Sequence, residues 1–408
     1  MLKLTNTPKG IKIIYDYISN VSSASIGVFV KTGAKDETAE EHGLSHLIEH
    51  MMFKGTKNRN YQEISQEVDY LGGSINAYTS KEETVYYISV LKDYVEQALE
   101  ILCDMVGNSV FDQEELEKEK DVIVEEIRMY QDTPDDLVLE LNSKDSIAGN
   151  LGKPIIGTEK SVKGFTRDNI VKYYTERYTK DNLVIVVSGN FKKEKIKRII
   201  DKYFGNFNQE KTDRYEKIDF SFQNGEKVYE KDIKQVNICI SYPGVSYLDE
   251  NKIYYDVISN IMGGTMSSRL FQKIREEMGL AYSVHTFNQT YKEGGVVTTY
   301  IGTNEKSYKK AVKITKDEFL NLRRNGINIS ELEKAQNKFL SKIAFSLENI
   351  RNRMNIIGTH YLKYGEIFDE EKLRAEVKNV DLNLINDFIK DKYYEENVTI
   401  LGDVKWKK

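Results

Sequence analysis

In the first half of the chain, short runs rich in apolar, β-branched and aromatic residues at 12–18, 24–31, 84–91 and 183–188 read as strands, whose side chains repeat every two residues. Between these runs the period lengthens to that of helices, over residues 42–53, 61–71, 93–107 and 167–174. Another helix is predicted over residues 114–130, where Leu116, Ile123, Ile127 and Tyr130 recur at helical spacing and define a buried stripe. Mixed strands and helices continue in the second half. Residues 111–127 align with residues 327–343 at a constant offset of 216, anchored by Glu115-Leu116-Glu117-Lys118 against Glu331-Leu332-Glu333-Lys334. A repeat on this scale points to two structural copies. The expected fold class is α+β, with two structurally similar domains, each a mostly antiparallel sheet with helices packed on one face. The polar, charge-rich stretch 206–231 is the expected junction, which places one domain at 1–212 and the other at 213–408.

The predicted helix 42–53 carries the chemistry. Rotated at about 100° per residue, Leu44, Leu47, Ile48 and Met51 gather on one side, and His46, Glu49 and His50 gather opposite. These last three spell H-x-x-E-H. Two imidazoles four residues apart share one helix face, close enough to grip a single metal ion. Three of the five histidines (His42, His46, His50) fall within nine residues, a concentration that packing does not call for. A catalytic zinc takes three protein donors and a water that it acidifies, so one donor must come from elsewhere. The acidic helix supplies the candidate. Glu119 and Glu126 lie about 20° apart on one flank of its stripe, while Glu117, Lys118 and Glu125 turn outward, and Glu126 is the expected ligand. In the second repeat these positions become Ala335 and Lys342, with no H-x-x-E-H before them, so the metal chemistry belongs to the first copy. A structural zinc on His42, His46 and His50 is the other arrangement, although Gly43 disfavours a continuous helix there.

Residues 42–56, with Glu119 and Glu126 seven apart downstream, resemble the pitrilysin-type inverzincin zinc peptidases, most closely mitochondrial processing peptidase and its bacterial relatives. Residues 72–80, 151–158 and 267–271 extend the likeness over nearly the whole chain. The resemblance implies a zinc-dependent endopeptidase that hydrolyses peptides or unfolded polypeptide segments inside a chamber. It implies one Zn2+ per chain, held by His46, His50 and Glu126, with Glu49 as general base toward the zinc-bound water and Glu119 assisting from behind the ligands. Asn76, Ala77 and Thr79 would hold the substrate along an exposed strand edge. Arg275, on a helix expected to stop at Gly279, and Tyr282, on the strand that follows, would donate hydrogen bonds to the substrate. The chamber implies a homodimer in which the second domain of one subunit faces the zinc of the other. Some relatives are inactive partners, so a non-catalytic structural subunit is the alternative.

Composition narrows the setting. At 408 residues, 40% hydrophobic and 30% charged, the chain exceeds what one core organises. A formal charge of −5 with no basic stripe argues against a nucleic-acid partner. The first residues lack the apolar core of a signal peptide, and apolar runs such as 183–187 are strand-sized, so no membrane partner and a cytoplasmic location are expected. Cys103 and Cys239 stand in different halves and form no disulfide framework.

Overall fold

The computed structural model describes residues 2–208 and 220–404. The first sheet contains β1 (Leu2–Asn6), β2 (Lys12–Tyr17), β3 (Ser23–Val30), β4 (Ser74–Thr79), β5 (Thr84–Leu91) and β6 (Leu183–Gly189), in the order β1-β2-β6-β3-β5-β4. The second contains β7 (Gly225–Glu230), β8 (Val236–Pro243), β9 (Ala281–Thr290), β10 (Gly295–Thr303) and β11 (Asn397–Gly402), in the order β7-β11-β8-β10-β9. Corresponding strands occupy corresponding places. Each sheet has one parallel pair, β2 with β6 and β7 with β11, and is otherwise antiparallel. The helices Gln113–Asp132 and Ile329–Glu348, 20 residues each, are related by the offset of the sequence repeat at both ends. The two-domain α+β organisation holds.

One feature differs from the expectation, and the two-residue period explains it. Ile26, Val28, Tyr86, Ile88 and Ile185 enter one core together with Leu44, Leu47, Leu99 and Leu102 of the helices on that face. Their neighbours Phe29, Val85, Val184 and Val186 point to the opposite face and are just as buried. Helices therefore cover both faces of the sheet. The second cover is helix Ile350–Tyr364, from the far end of the sequence, which packs on β3 and β6. A Cβ on its Gly358 would lie 2.3 Å from the Phe29 ring, so glycine permits this close approach. Arg353 of the same helix pairs with the buried Asp16 of β2.

In the second unit the matching place is taken by helix Pro134–Ser146. Its Val138 packs with Cys239, Tyr300 and Leu401. Asn142 accepts a hydrogen bond from Ser241, and Asp145 accepts one from Thr399. The compact units are thus not the two halves of the sequence, because the chain crosses between them not only at the junction but also after Arg128, Lys153, Ile343 and Phe368. The expected boundary at 212/213 lies outside the described residues, as do residues 209–219 of the expected junction. The later part of that stretch is strand β7. Its polar composition hid it because β7 is an edge strand with three exposed positions at its start. Among the described residues, no helix is long and apolar enough to cross a membrane.

Candidate metal centre

The motif helix, Leu44–Met51, is fixed at its start by backbone geometry. Gly43 caps it with φ 96°, and a Cβ there would lie 2.8 Å from Gly157 Cα. Left-handed backbone against a neighbouring strand of chain is open only to glycine. The helix therefore does not include His42, whose Nε2 lies 2.8 Å from the Pro154 carbonyl oxygen. Glu37 completes the cap, accepting hydrogen bonds from the backbone N–H groups of Gly43 (2.8 Å) and Ser45 (2.7 Å). Burial pushes the Glu37 carboxyl up to about 8, against the pull of those two bonds and of the Arg177 charge. Leu44, Leu47, Ile48 and Met51 are buried in the core as the rotation predicts, and His46, Glu49 and His50 share the other side.

Helix Gln113–Asp132 brings Glu126 to them. Glu126 Oε2 lies 3.8 Å from His46 Nε2 and 3.6 Å from His50 Nε2. Donors bound at the usual lengths to one tetrahedral zinc stand about 3.4 Å apart, so these two separations exceed that spacing by only a few tenths of an ångström. Among the described residues, His46, His50 and Glu126 form the one group of ligand atoms able to hold a metal, all within 4.8 Å of one another.

Charge and hydrogen bonding agree with that use. Burial, reinforced by the neighbouring His50, pulls His46 down to about 3, so its ring is neutral and keeps a lone pair. His46 Nδ1 is buried without a hydrogen-bond partner, which leaves the ring to be held by whatever Nε2 binds. His50 is treated differently. Its Nδ1 lies 2.8 Å from Glu119 Oε1, the bond that presents Nε2 as the donor atom. Burial alone would lower the His50 pKa, but the Glu119 bond and the charges of Glu119, Glu49 and Glu126 outweigh it and raise it. Burial likewise opposes the anion at Glu119, yet His50 and Lys54 hold this carboxyl below its ordinary value. Lys54 Nζ is 2.5 Å from Glu119 Oε2. Burial raises Glu126 and Glu49. A neutral imidazole, a second one oriented by a carboxylate, and a half-buried glutamate match the donor set of a zinc ion, and the residues fit it.

Glu49 stands beside this group, its Oε2 accepting a 2.6 Å hydrogen bond from Thr79 Oγ1. Thr79 ends β4, which is the free edge of its sheet and also carries Asn76 and Ala77. Asn76 Oδ1 accepts from the Ala77 N–H at 2.8 Å. Arg275 and Tyr282 belong to the second unit. The Arg275 guanidinium, on a π-helical turn Phe271–Glu277, lies 4.7 Å from the Phe271 ring centroid and 5.1 Å from that of Tyr282. Tyr282, on the edge strand β9, is 81% exposed.

Sequence reasoning missed two contributors. Lys54 follows His50 by one helical turn inside the same run, a spacing that could have identified it. Glu37 acts on backbone N–H groups, and no side-chain pattern announces that. For Thr79, the contact with Glu49 is additional to the strand-edge role expected of it. In the second copy, Ala335 is buried in the core where Glu119 would stand.

His42→Ala is expected to keep its zinc, whereas Glu126→Ala loses a donor and binds zinc at least about 100-fold more weakly. Metal content after dialysis against a graded chelator distinguishes the two. Retention by Glu126→Ala with loss by His42→Ala would return the three-histidine arrangement.

Residues 12–159 match the sequence family described as insulinase (peptidase family M16), and residues 164–339 match the one described as peptidase M16 inactive domain. The first match contains His46, Glu49, His50, Glu119 and Glu126. A Bacillus subtilis protein called uncharacterized zinc protease YmxG is 36% identical over 398 residues, covering 97% of each chain. A Rickettsia bellii protein called uncharacterized zinc protease is 35% identical over 379 residues, covering 91% of this chain and 90% of its own. A crystal structure of a protease from Helicobacter pylori shares the fold, with a TM-score of 0.89 at 20% identity over 98% of this chain and 99% of that one.

Proposed function

This chain belongs to the insulinase-type peptidase family M16, and we propose that it is a zinc-dependent endopeptidase acting on peptides or unfolded polypeptide segments inside a chamber, with one zinc per chain. The observation that carries this reading is the convergence of His46, His50 and Glu126 beside a carboxylate, Glu49, that is not needed as a ligand. A retired, non-catalytic subunit has no use for this set, and the second copy has lost it.

His46, His50 and Glu126 hold the ion. Bound there, zinc supplies Lewis acidity, lowering the pKa of a water and polarising the scissile carbonyl. Thr79 occupies Glu49 Oε2, which leaves Oε1 to take the proton of the attacking water and pass it to the leaving amine. Glu119 keeps the His50 ring in one tautomer, and Lys54 keeps Glu119 anionic. The free edge of β4 pairs with the substrate as an added strand, so Asn76, Ala77 and Thr79 read backbone more than side chains.

Arg275 and Tyr282 act on substrate from the second domain of a partner subunit, in a homodimer. Their support is the exposure of Tyr282 on an edge strand and the cationic, hydrogen-bonding character of the pair. A cytoplasmic setting accords with two buried cysteines that remain free thiols.

The direct test is cleavage of a quenched peptide library by purified protein, lost with a chelator and restored by zinc. Chelator-insensitive cleavage would overturn the proposal. Mixing Glu49→Gln subunits with Tyr282→Phe subunits should restore activity in those heterodimers that pair an intact Glu49 with an intact Tyr282. No recovery despite confirmed subunit exchange would remove the homodimer.

A further inference from the structure

Thr79 reaches Glu49 from a hairpin, β4–β5, and that hairpin holds a buried side chain with no place in the chemistry above. Glu83 stands in the turn, immediately before β5, and is 7% exposed. One oxygen of its carboxylate, Oε1, accepts hydrogen bonds from Tyr78 Oη (3.2 Å) and from Thr359 Oγ1 (3.0 Å). Tyr78 is the residue next to Thr79. Thr359 lies on helix Ile350–Tyr364, the cover of the second sheet face, and Lys363 of the same helix adds a favourable charge. The other side of the turn is clamped as well. Ala34 N–H donates to Ser80 O (3.1 Å) and Lys35 N–H to Lys81 O (2.9 Å), in the loop that leads into the cap residue Glu37.

A buried carboxylate is costly to place unless hydroxyl or cationic partners satisfy it. A hairpin turn that needed only closure would be served by the backbone bond from Ser80 N–H to Glu83 O, at 2.8 Å. The second copy makes the contrast: the residue before β10 in the corresponding hairpin is Gly294, and among the described residues of that unit there is no metal-binding group.

We propose that Glu83 is a positioning residue for Glu49: it ties the β4–β5 hairpin to helix Ile350–Tyr364 and thereby sets where Thr79 holds the Glu49 carboxylate. This rests on Glu49 being the base. A helix 276 residues away in sequence from Glu83 then governs the geometry of a general base in the first unit.

Glu83→Leu and Thr359→Val cut the tie from its two sides, and Glu83→Gln keeps an acceptor. Each of the first two is expected to lower kcat about fivefold to tenfold, the scale of one hydrogen bond that orients a reacting group, with zinc affinity unchanged. Glu83→Gln recovers most of the loss. In a Thr79→Val background, Glu83→Leu should cost nothing further, because the tie then has no hydroxyl to position. Losses that multiply, or zinc affinity that falls in step with kcat, would overturn the proposal. Thr359→Val, a near-isosteric change, serves if Glu83→Leu does not fold. Amide hydrogen exchange provides a readout independent of activity, since either variant should speed exchange in Ser74–Thr79 and leave the core strand Leu183–Gly189 protected. Should the wild-type protein cleave nothing, the endopeptidase reading fails by itself. Exchange in β4 then decides the tie, and unchanged rates would sink it.

Discussion

Glu49→Gln is expected to lower kcat by about 10³-fold, the usual worth of a positioned general base, while the protein keeps its full complement of zinc. The amide has the size of the carboxylate and still accepts the Thr79 hydrogen bond, so the helix, the hairpin and the donor atoms of His46, His50 and Glu126 stay where they are. It has no basic oxygen to take a proton from water. The pattern differs at neighbouring positions. Glu126→Ala loses activity because it loses zinc, and excess zinc recovers part of it. Thr79→Val keeps a base that is poorly aimed, and it loses far less than Glu49→Gln. Paired measurements of zinc content and single-turnover cleavage separate these three cases. A Glu49→Gln protein within a few-fold of wild type would show that another group moves the proton.

The convergence of the candidate ligands was largely legible because both of their helices write their faces into the sequence. Helical rotation put His46, Glu49 and His50 opposite an apolar stripe, and that stripe is buried as drawn. In the second helix the flank shared by Glu119 and Glu126 is the one that meets the histidines. The repeat was legible for the same reason, since both copies of the 20-residue helix keep their apolar spacing. What stayed hidden has physical causes. Capping by Glu37 is written on backbone N–H groups, which all residues but proline share. Tyr130 was read as the end of the buried stripe, but it is 36% exposed, because periodicity does not reveal where a neighbouring layer stops.

The exchange of helices was the larger omission. Strand β6 is buried along its whole length and β3 from Ala24 onward, as Ser25, Gly27, Phe29 and Val184 show, and this marks two covered faces. Which helix provides the second cover is a long-range question that local spacing cannot answer. Helix Pro134–Ser146 shows why: its buried set, Val138, Asn142, Asp145 and Ser146, is mostly polar, with Asn142 and Asp145 hydrogen-bonded to the second sheet and Ser146 to the Asn142 carbonyl of its own helix.

A chain ending after residue 212 should for that reason fail to fold cooperatively, although it contains every residue of the metal centre. Without helix Ile350–Tyr364, Ile14, Phe29, Val85, Val184 and Val186 would face water on the second side of the sheet. Each carries about 1.5–3 kcal/mol of burial, so the loss is on the order of 8 kcal/mol or more, comparable to the entire stability of an ordinary domain. Asp16, on the same face, would also lose Arg353, its ion-pair partner. Fusing residues 344–368 to the truncated chain through a flexible linker restores the missing cover and should restore a single cooperative transition by circular dichroism, with zinc binding. The same fusion with Gly358→Leu should not, because the added side chain meets the Phe29 ring. If residues 1–212 alone unfold cooperatively at the midpoint of the full-length protein, the second face needs no cover and the crossing helix has no part in holding the first unit together.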